Sequence, residues 1–120
     1  MRWGLDVKLP NADRAVIDIE KLRDYSLNSA HPKGKHKARM FLAALGFKAD
    51  DAERLRKLIR EAILVEEATE QQLTDYGRRF IVDFQIKWEE KFVVSFVTIR
   101  TAWIIRNDED FPRLTSCFIP

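Results

Sequence analysis

Arg79-Phe80-Ile81-Val82-Asp83-Phe84-Gln85-Ile86-Lys87-Trp88 decides the fold. Phe80, Val82, Phe84, Ile86 and Trp88 alternate with Arg79, Asp83, Gln85 and Lys87. A period of two sends the two sets to opposite faces of an extended chain, so this stretch predicts a half-buried strand. Glu89-Glu90-Lys91 reads as the hairpin connection. The following run, residues 92–106, is rich in β-branched side chains and apolar on both faces near its start. That pattern predicts a strand that is either central in the sheet or bulged around Ser95. From Val97 onward Ile99, Trp103 and Ile105 share one face, while Thr98, Arg100, Ala102 and Arg106 fall mostly on the other. The second of these faces is a candidate working surface. Asn107-Asp108-Glu109-Asp110 makes an acidic turn, Phe111-Pro112 ends it, and residues 113–119 read as a final strand.

Upstream of Gly77 the period is helical. Asp18 is placed to cap a segment over residues 19–27 in which Ile19, Leu22 and Tyr25 recur at helical spacing, and Asn28-Ser29 breaks it. Ala38, Phe41, Leu42 and Leu45 stand at i, i+3, i+4 and i+7, a single buried stripe, with Gly46 where a left-handed C-terminal cap is expected. Asp50 and Glu53 have the spacing of a capping box for a third helix whose apolar face is Ala52, Leu55, Ile59 and Ala62. Residues 66–74 read as a polar connection or a ragged edge strand. Helices first and a meander of strands afterwards predict an α+β domain over residues 1–120. Its N-terminal helices pack on one face of a small antiparallel β-sheet of three to four strands.

Composition bounds the function. A chain of 120 residues buries enough surface to fold as one domain without covalent staples. Cys117 is alone, which excludes an internal disulfide and a thiolate metal set and makes a reducing cytoplasm the expected compartment. The Met1–Asp6 start has no apolar core of a signal sequence, and no apolar run reaches the roughly 18 to 20 residues that span a bilayer, so no membrane partner is expected. With 21 basic and 19 acidic residues the net charge is only +2, which argues against a purely electrostatic nucleic-acid binder. Four glycines form no nucleotide-binding loop, the contiguous Asp108, Glu109 and Asp110 lack the spacing of a calcium loop, and neither metal nor cofactor is expected. No Ser-His-Asp order accompanies Thr101, Thr115 or Ser116.

The densest chemistry lies in His31-Pro32-Lys33-Gly34-Lys35-His36-Lys37-Ala38-Arg39, which holds both histidines and leads into the second helix. Imidazoles titrate near neutrality and suit proton transfer. Free N-H groups at a helix N-terminus, with lysines beside them, suit a phosphate. RNA cleavage without a metal needs a base for the 2′-hydroxyl, an acid for the leaving oxygen and cations for the charge added at phosphorus. The candidate catalytic residues are therefore His31, His36, Lys37 and Arg100. Lys33, Gly34, Lys35, Arg113 and Thr115 are candidates for phosphate binding, with Arg100 and Arg113 expected to clamp one phosphate bidentately if their faces agree. A structural reading stands beside each: His31-Pro32 shapes a turn, His36 faces solvent, the lysines solubilise, Lys37 lays its stem along the core, and Trp103 and Cys117 are core residues.

The order of these signals resembles a family of small uncharacterised bacterial and phage domains. The resemblance rests on Asp18-Ile19-Glu20-Lys21-Leu22-Arg23-Asp24-Tyr25, the His31 to Arg39 motif, Ala44-Leu45-Gly46, Asp75-Tyr76-Gly77-Arg78-Arg79-Phe80, Arg100-Thr101-Ala102-Trp103-Ile104-Ile105 and Asp110-Phe111-Pro112-Arg113-Leu114-Thr115. The connection from Trp88 to Phe92 departs from it in lacking a Gly-Pro-type turn. Members standing alone or at the end of toxin-like proteins imply a toxin effector, and the layout is similar to the barnase, EndoU and RelE-like ribonuclease folds. The resemblance thus implies RNA as substrate and a cognate antitoxin or immunity protein as partner. The alternative is a non-enzymatic interaction module: an antitoxin, an immunity protein or a nucleic-acid binder.

Overall fold

The computed structural model describes residues 7–120; the Met1–Asp6 segment read above lies outside the described residues. Helix α1, Ile19–Lys21, runs on without a break into a π-helical turn, Leu22–Ser26, closed by the Leu27 N-H on the Leu22 carbonyl. Helices α2, Lys35–Leu45, and α3, Ala52–Val65, follow. Strands β1, Ala68–Glu70, β2, Gly77–Glu90, β3, Val93–Arg106, and β4, Arg113–Phe118, form one antiparallel sheet in the order β1-β2-β3-β4. The expected α+β architecture is the observed one.

Register explains the burial. Phe80 pairs with Trp103, Val82 with Thr101 and Phe84 with Ile99, so the period-two residues of both strands share one face. That face joins Leu22, Phe41, Leu45, Leu55, Ile59 and Ile63 from the helices in the core. Thr101 is the buried polar exception, and it is satisfied: its hydroxyl donates to the Val82 carbonyl at 2.7 Å and accepts the Trp103 indole N-H at 2.8 Å. The backbone of Val16 brackets β4, donating to the Pro112 carbonyl and accepting from the Leu114 N-H.

Several local expectations shift. Leu42 is 47% exposed, leaving Ala38, Phe41 and Leu45 as the buried stripe of α2. Gly46 closes that helix at φ 70°, the left-handed cap that a residue without Cβ adopts at no steric cost. The Asp50 box is not formed. Asp51 accepts the Lys48 N-H at 2.9 Å in a short 3-10 turn, Ala49–Asp51, and Glu53 pairs with Arg56 instead.

The hairpin connection is Lys91-Phe92, both in left-handed conformation at φ 47° and 68°, with Glu89 and Glu90 still in the ladder. Two left-handed residues match the right-handed twist of the flanking strands, which is why a two-residue turn replaces the longer connection. Ser95 sits in unbroken register opposite Trp88. The bulge lies further on, where Thr115 of β4 is the extra residue between the pairs Ala102↔Ser116 and Trp103↔Leu114. Strand β1 pairs only with Phe80, Ile81 and Val82, and β4 only from Arg100 to Ile104. The hairpin therefore continues beyond its flanking strands as a two-stranded arm.

Candidate functional site

A cavity of about 440 Å³ opens where the π-helical turn and the start of α2 meet the bulged part of β4. Two contacts set its walls. Ser26, buried at the end of the turn, donates its hydroxyl to the Cys117 carbonyl at 2.9 Å, fastening the turn to β4. Gly34, in the helical region at φ −86°, lies so close to the Tyr25 carbonyl that an added Cβ would stand 2.3 Å from that oxygen. The glycine is required by this close approach and not by its dihedral angles.

Into this cavity the fold brings His31, Lys37 and Thr115, together with Tyr25, Ser116, Glu20, Lys21 and Asp24. The His31 ring packs on Tyr25 with centroids 4.7 Å apart. Its Nδ1 accepts the Lys33 and Gly34 N-H groups at 3.0 and 2.9 Å, and its carbonyl accepts the Lys35 N-H. Two donors on Nδ1 assign the ring proton to Nε2, so the imidazole seated this way is a hydrogen-bond donor with no free lone pair to act as a base. The same bonds occupy three N-H groups at the mouth of α2, and the phosphate cradle expected there is to that extent already filled by His31. Lys37, half-buried, holds its ammonium 5.0 Å from the Tyr25 ring centroid and 5.2 Å from that of Phe118. Aromatic faces attract a cation while leaving its N-H groups available. Among the described residues Lys37 forms no ion pair. The Thr115 hydroxyl, at the bulge, is buried without a hydrogen-bond partner among the described residues.

The other expected residues stand elsewhere. His36, Lys33, Lys35 and Arg39 are exposed and do not line the cavity. Arg100 is bound bidentately by Asp83 at 2.9 Å across β2 and β3, and that hydrogen bonding raises its pKa. Arg113 is bound in the same way by Glu109 at 2.9 and 2.8 Å, with its guanidinium over the Phe111 ring. Arg113 pairs in register with Ile104, four residues along β3 from Arg100, or roughly 13 Å at the rise of an extended strand. The expected two-arginine clamp is not assembled, because each guanidinium is committed to a local carboxylate. Asp24 at the cavity mouth is likewise held by Arg23, whose hydrogen bonds keep its carboxyl below the usual range.

Cys117 lies fully buried beneath this region, and desolvation pushes its thiol up to about 12, which makes it an unreactive core residue. Among the described residues no group of His, Cys, Asp and Glu could hold a metal ion, and no helix is long and apolar enough to cross a membrane. Glu20 is not singled out as a site residue by the sequence because nothing in its spacing marks it, and Ser116 enters there only as a nucleophile lacking a Ser-His-Asp order. Tyr25 was visible as a helical-stripe residue, but only the π-helical turn and the Gly34 contact give it its place beside His31.

Residues 8–120 match the family described as Domain of unknown function (DUF6883), and the chain belongs to that family. No curated protein and no solved structure matches it.

Proposed function

We propose that this domain binds and cleaves RNA, with the 440 Å³ cavity as the phosphodiester site. The observation that carries the reading is the convergence, at one concave site, of a Lys37 ammonium and a Thr115 hydroxyl that have no ion-pair or hydrogen-bond partner among the described residues with an N-H donor at His31 Nε2. All three are suited to a phosphate that gains negative charge as it reacts, and a low-dielectric wall strengthens each. In the proposed step the Glu20 carboxylate at the rim takes the 2′-hydroxyl proton and the 2′-oxygen forms its bond to phosphorus. The P–O5′ bond then breaks, with the Lys37 ammonium supplying a proton to O5′. His31 donates to a non-bridging oxygen, with the Thr115 hydroxyl in the wall behind it. The product of such a step is a 2′,3′-cyclic phosphate. The ribonuclease-like layout, the toxin-like resemblance and a cognate antitoxin or immunity protein as partner belong to this same proposal.

A second reading, a non-enzymatic interaction module, is favoured by one specific observation. Arg100, Arg113 and three N-H groups of the basic turn are already occupied by groups of the chain itself.

One assay separates the two: cleavage of mixed-sequence RNA by the purified domain in EDTA, with analysis of product ends. Lys37→Met should lower the rate by about 100-fold or more, the usual worth of a charge-stabilising or proton-transferring group. His31→Asn retains an oxygen that caps Lys33 and Gly34 while deleting the Nε2 donor. It should lose rate by a similar factor with an unchanged circular-dichroism spectrum. His36→Gln should leave the rate unchanged. Expression of the active chain alone should slow bacterial growth. No cleavage by the folded domain would overturn the ribonuclease reading and leave the interaction module as the alternative.

A further inference from the structure

Among the described residues the arm of the β2–β3 hairpin has two open edges, and they differ in chemistry. Each strand is fourteen residues long, roughly 46 Å at the rise of extended chain, and the molecule's longest dimension is 45 Å. The hairpin sets the length of the domain. On the β2 side the edge beyond β1 carries Asp83, Lys87, Glu89 and Glu90. On the β3 side, between the turn and the first pair with β4 at Arg100, it reads Val93-Val94-Ser95-Phe96-Val97-Thr98-Ile99 without one charge. Natural sheets protect open edges with charges, prolines or bulges. The β2 edge is protected in that way; the β3 edge is not, and its register with β2 is free of bulges.

Exposure points in the same direction. Phe92 is 107% exposed, Phe96 63%, Val93 62% and Val94 52%. Phe92 also occupies a left-handed turn position where glycine or asparagine would cost less, and in the monomer its side chain packs on nothing that compensates the strain.

We propose that this edge pairs with the same edge of a second copy of the chain, making an antiparallel two-fold dimer centred on Phe96. The free edge is self-complementary about that residue. Val93 would face Ile99 of the other copy, Val94 would face Thr98, Ser95 would face Val97, and Phe96 would meet Phe96. Every facing pair is uncharged, and the exposed Val93, Val94 and Phe96 are β-branched or aromatic, the kind that favours cross-strand packing, while Ile99, buried in the core, contributes its backbone edge. An isologous contact of this kind closes on itself, so the uncharged edge ends in a dimer and not in a fibre. Pairing about Phe96 would bring the exposed Phe96, Val94 and Val93 side chains of the two copies alongside one another, while Phe92, whose facing position Arg100 is taken by β4, stays outside the ladder.

Sedimentation equilibrium on the whole chain tests this directly. The expected mass is twice the monomer's 14.1 kDa. Phe96→Lys places two ammonium groups against each other on the two-fold axis and should give a monomer, with the circular-dichroism spectrum unchanged because the side chain is exposed. Gln85→Lys, on the other edge, should leave the dimer intact. Phe96→Cys should form an intermolecular disulfide on mild oxidation, with no interference from the buried Cys117.

Register is tested by Val94→Lys, which should weaken the dimer, and by adding Thr98→Glu, which should restore it by setting Lys against Glu twice. A chain that stays monomeric at the highest soluble concentration overturns the proposal and leaves the edge to a different protein. A dimer that survives Phe96→Lys overturns it in favour of another surface.

Discussion

The two halves of the β2–β3 hairpin carry the same alternation and meet different fates. In the inner half Phe80, Val82 and Phe84 face Trp103, Thr101 and Ile99 and are buried under the helices, with β1 flanking Phe80 to Val82 and β4 flanking Arg100 to Ile104. In the outer half Ile86, Trp88 and Val97, on the same face, are only partly buried against the core, while Val94 and Phe96 on the opposite face and Val93 near the turn remain exposed. Periodicity therefore reports which side chains share a face. How completely that face is covered depends on elements distant in sequence.

The largest effect expected from this contrast is a pair of truncations on one hairpin. Phe80→Ala, at 1% exposure, should cost about 3–5 kcal/mol, the lost transfer energy plus an unfilled cavity. Phe96→Ala, at 63% exposure, should change the stability of the dilute monomer by no more than about 0.5 kcal/mol. Urea denaturation of the two variants at low concentration measures both. Equal losses would mean that the arm is folded onto the body in solution.

The next effects are smaller and lie in the body. Gly34→Ala drives a methyl group into the Tyr25 carbonyl. The turn must move, at about 1–3 kcal/mol of overpacking, and His31 moves with it. Any RNA cleavage should therefore fall together with thermal stability. Thr101→Val removes both the donor to the Val82 carbonyl and the acceptor for the Trp103 indole N-H. Leaving that N-H buried and unpaired should cost about 1–3 kcal/mol, and tryptophan fluorescence should report the altered environment.

The smallest effect is electrostatic. Hydrogen bonds from Arg113, Arg14 and Arg78 hold the carboxyls of Glu109, Asp110 and Glu70 below their ordinary range. In the interval between the lowered folded values and the unfolded value near 4, the unfolded chain binds more protons. Stability from these pairs is thus complete above the unfolded value and is lost as pH falls through the folded one. Glu109→Gln should flatten the decline of Tm on acidification and leave Tm at pH 7 nearly unchanged, since partly exposed pairs contribute little.

Much of the frame was legible in the residues. The α2 stripe of Ala38, Phe41 and Leu45, the Gly46 cap, the burial of Trp103 and Cys117, and the strand from Phe80 all follow from spacing that is local to one element. The basic motif was legible only as a motif. Of its cations Lys37 alone enters the cavity, because one helical face turns inward while Lys35 and His36 turn out. Spacing gave no indication that Arg100 would be bound by Asp83 and Arg113 by Glu109.

By itself the sequence determined the α+β class, the order of the main elements and the inward faces of α2, α3, β2 and the second half of β3, since periodicity and caps act within a few residues. Only the tertiary structure decided which groups meet: Tyr25 with His31 and Lys37, Ser26 with Cys117, and the Tyr25 carbonyl against Gly34. These contacts join segments that are unrelated in local pattern. They depend on a π-helical turn, a one-residue bulge and an 11-residue helix arriving at one edge of the sheet. No single element encodes that convergence, because it arises from packing all of them around one core.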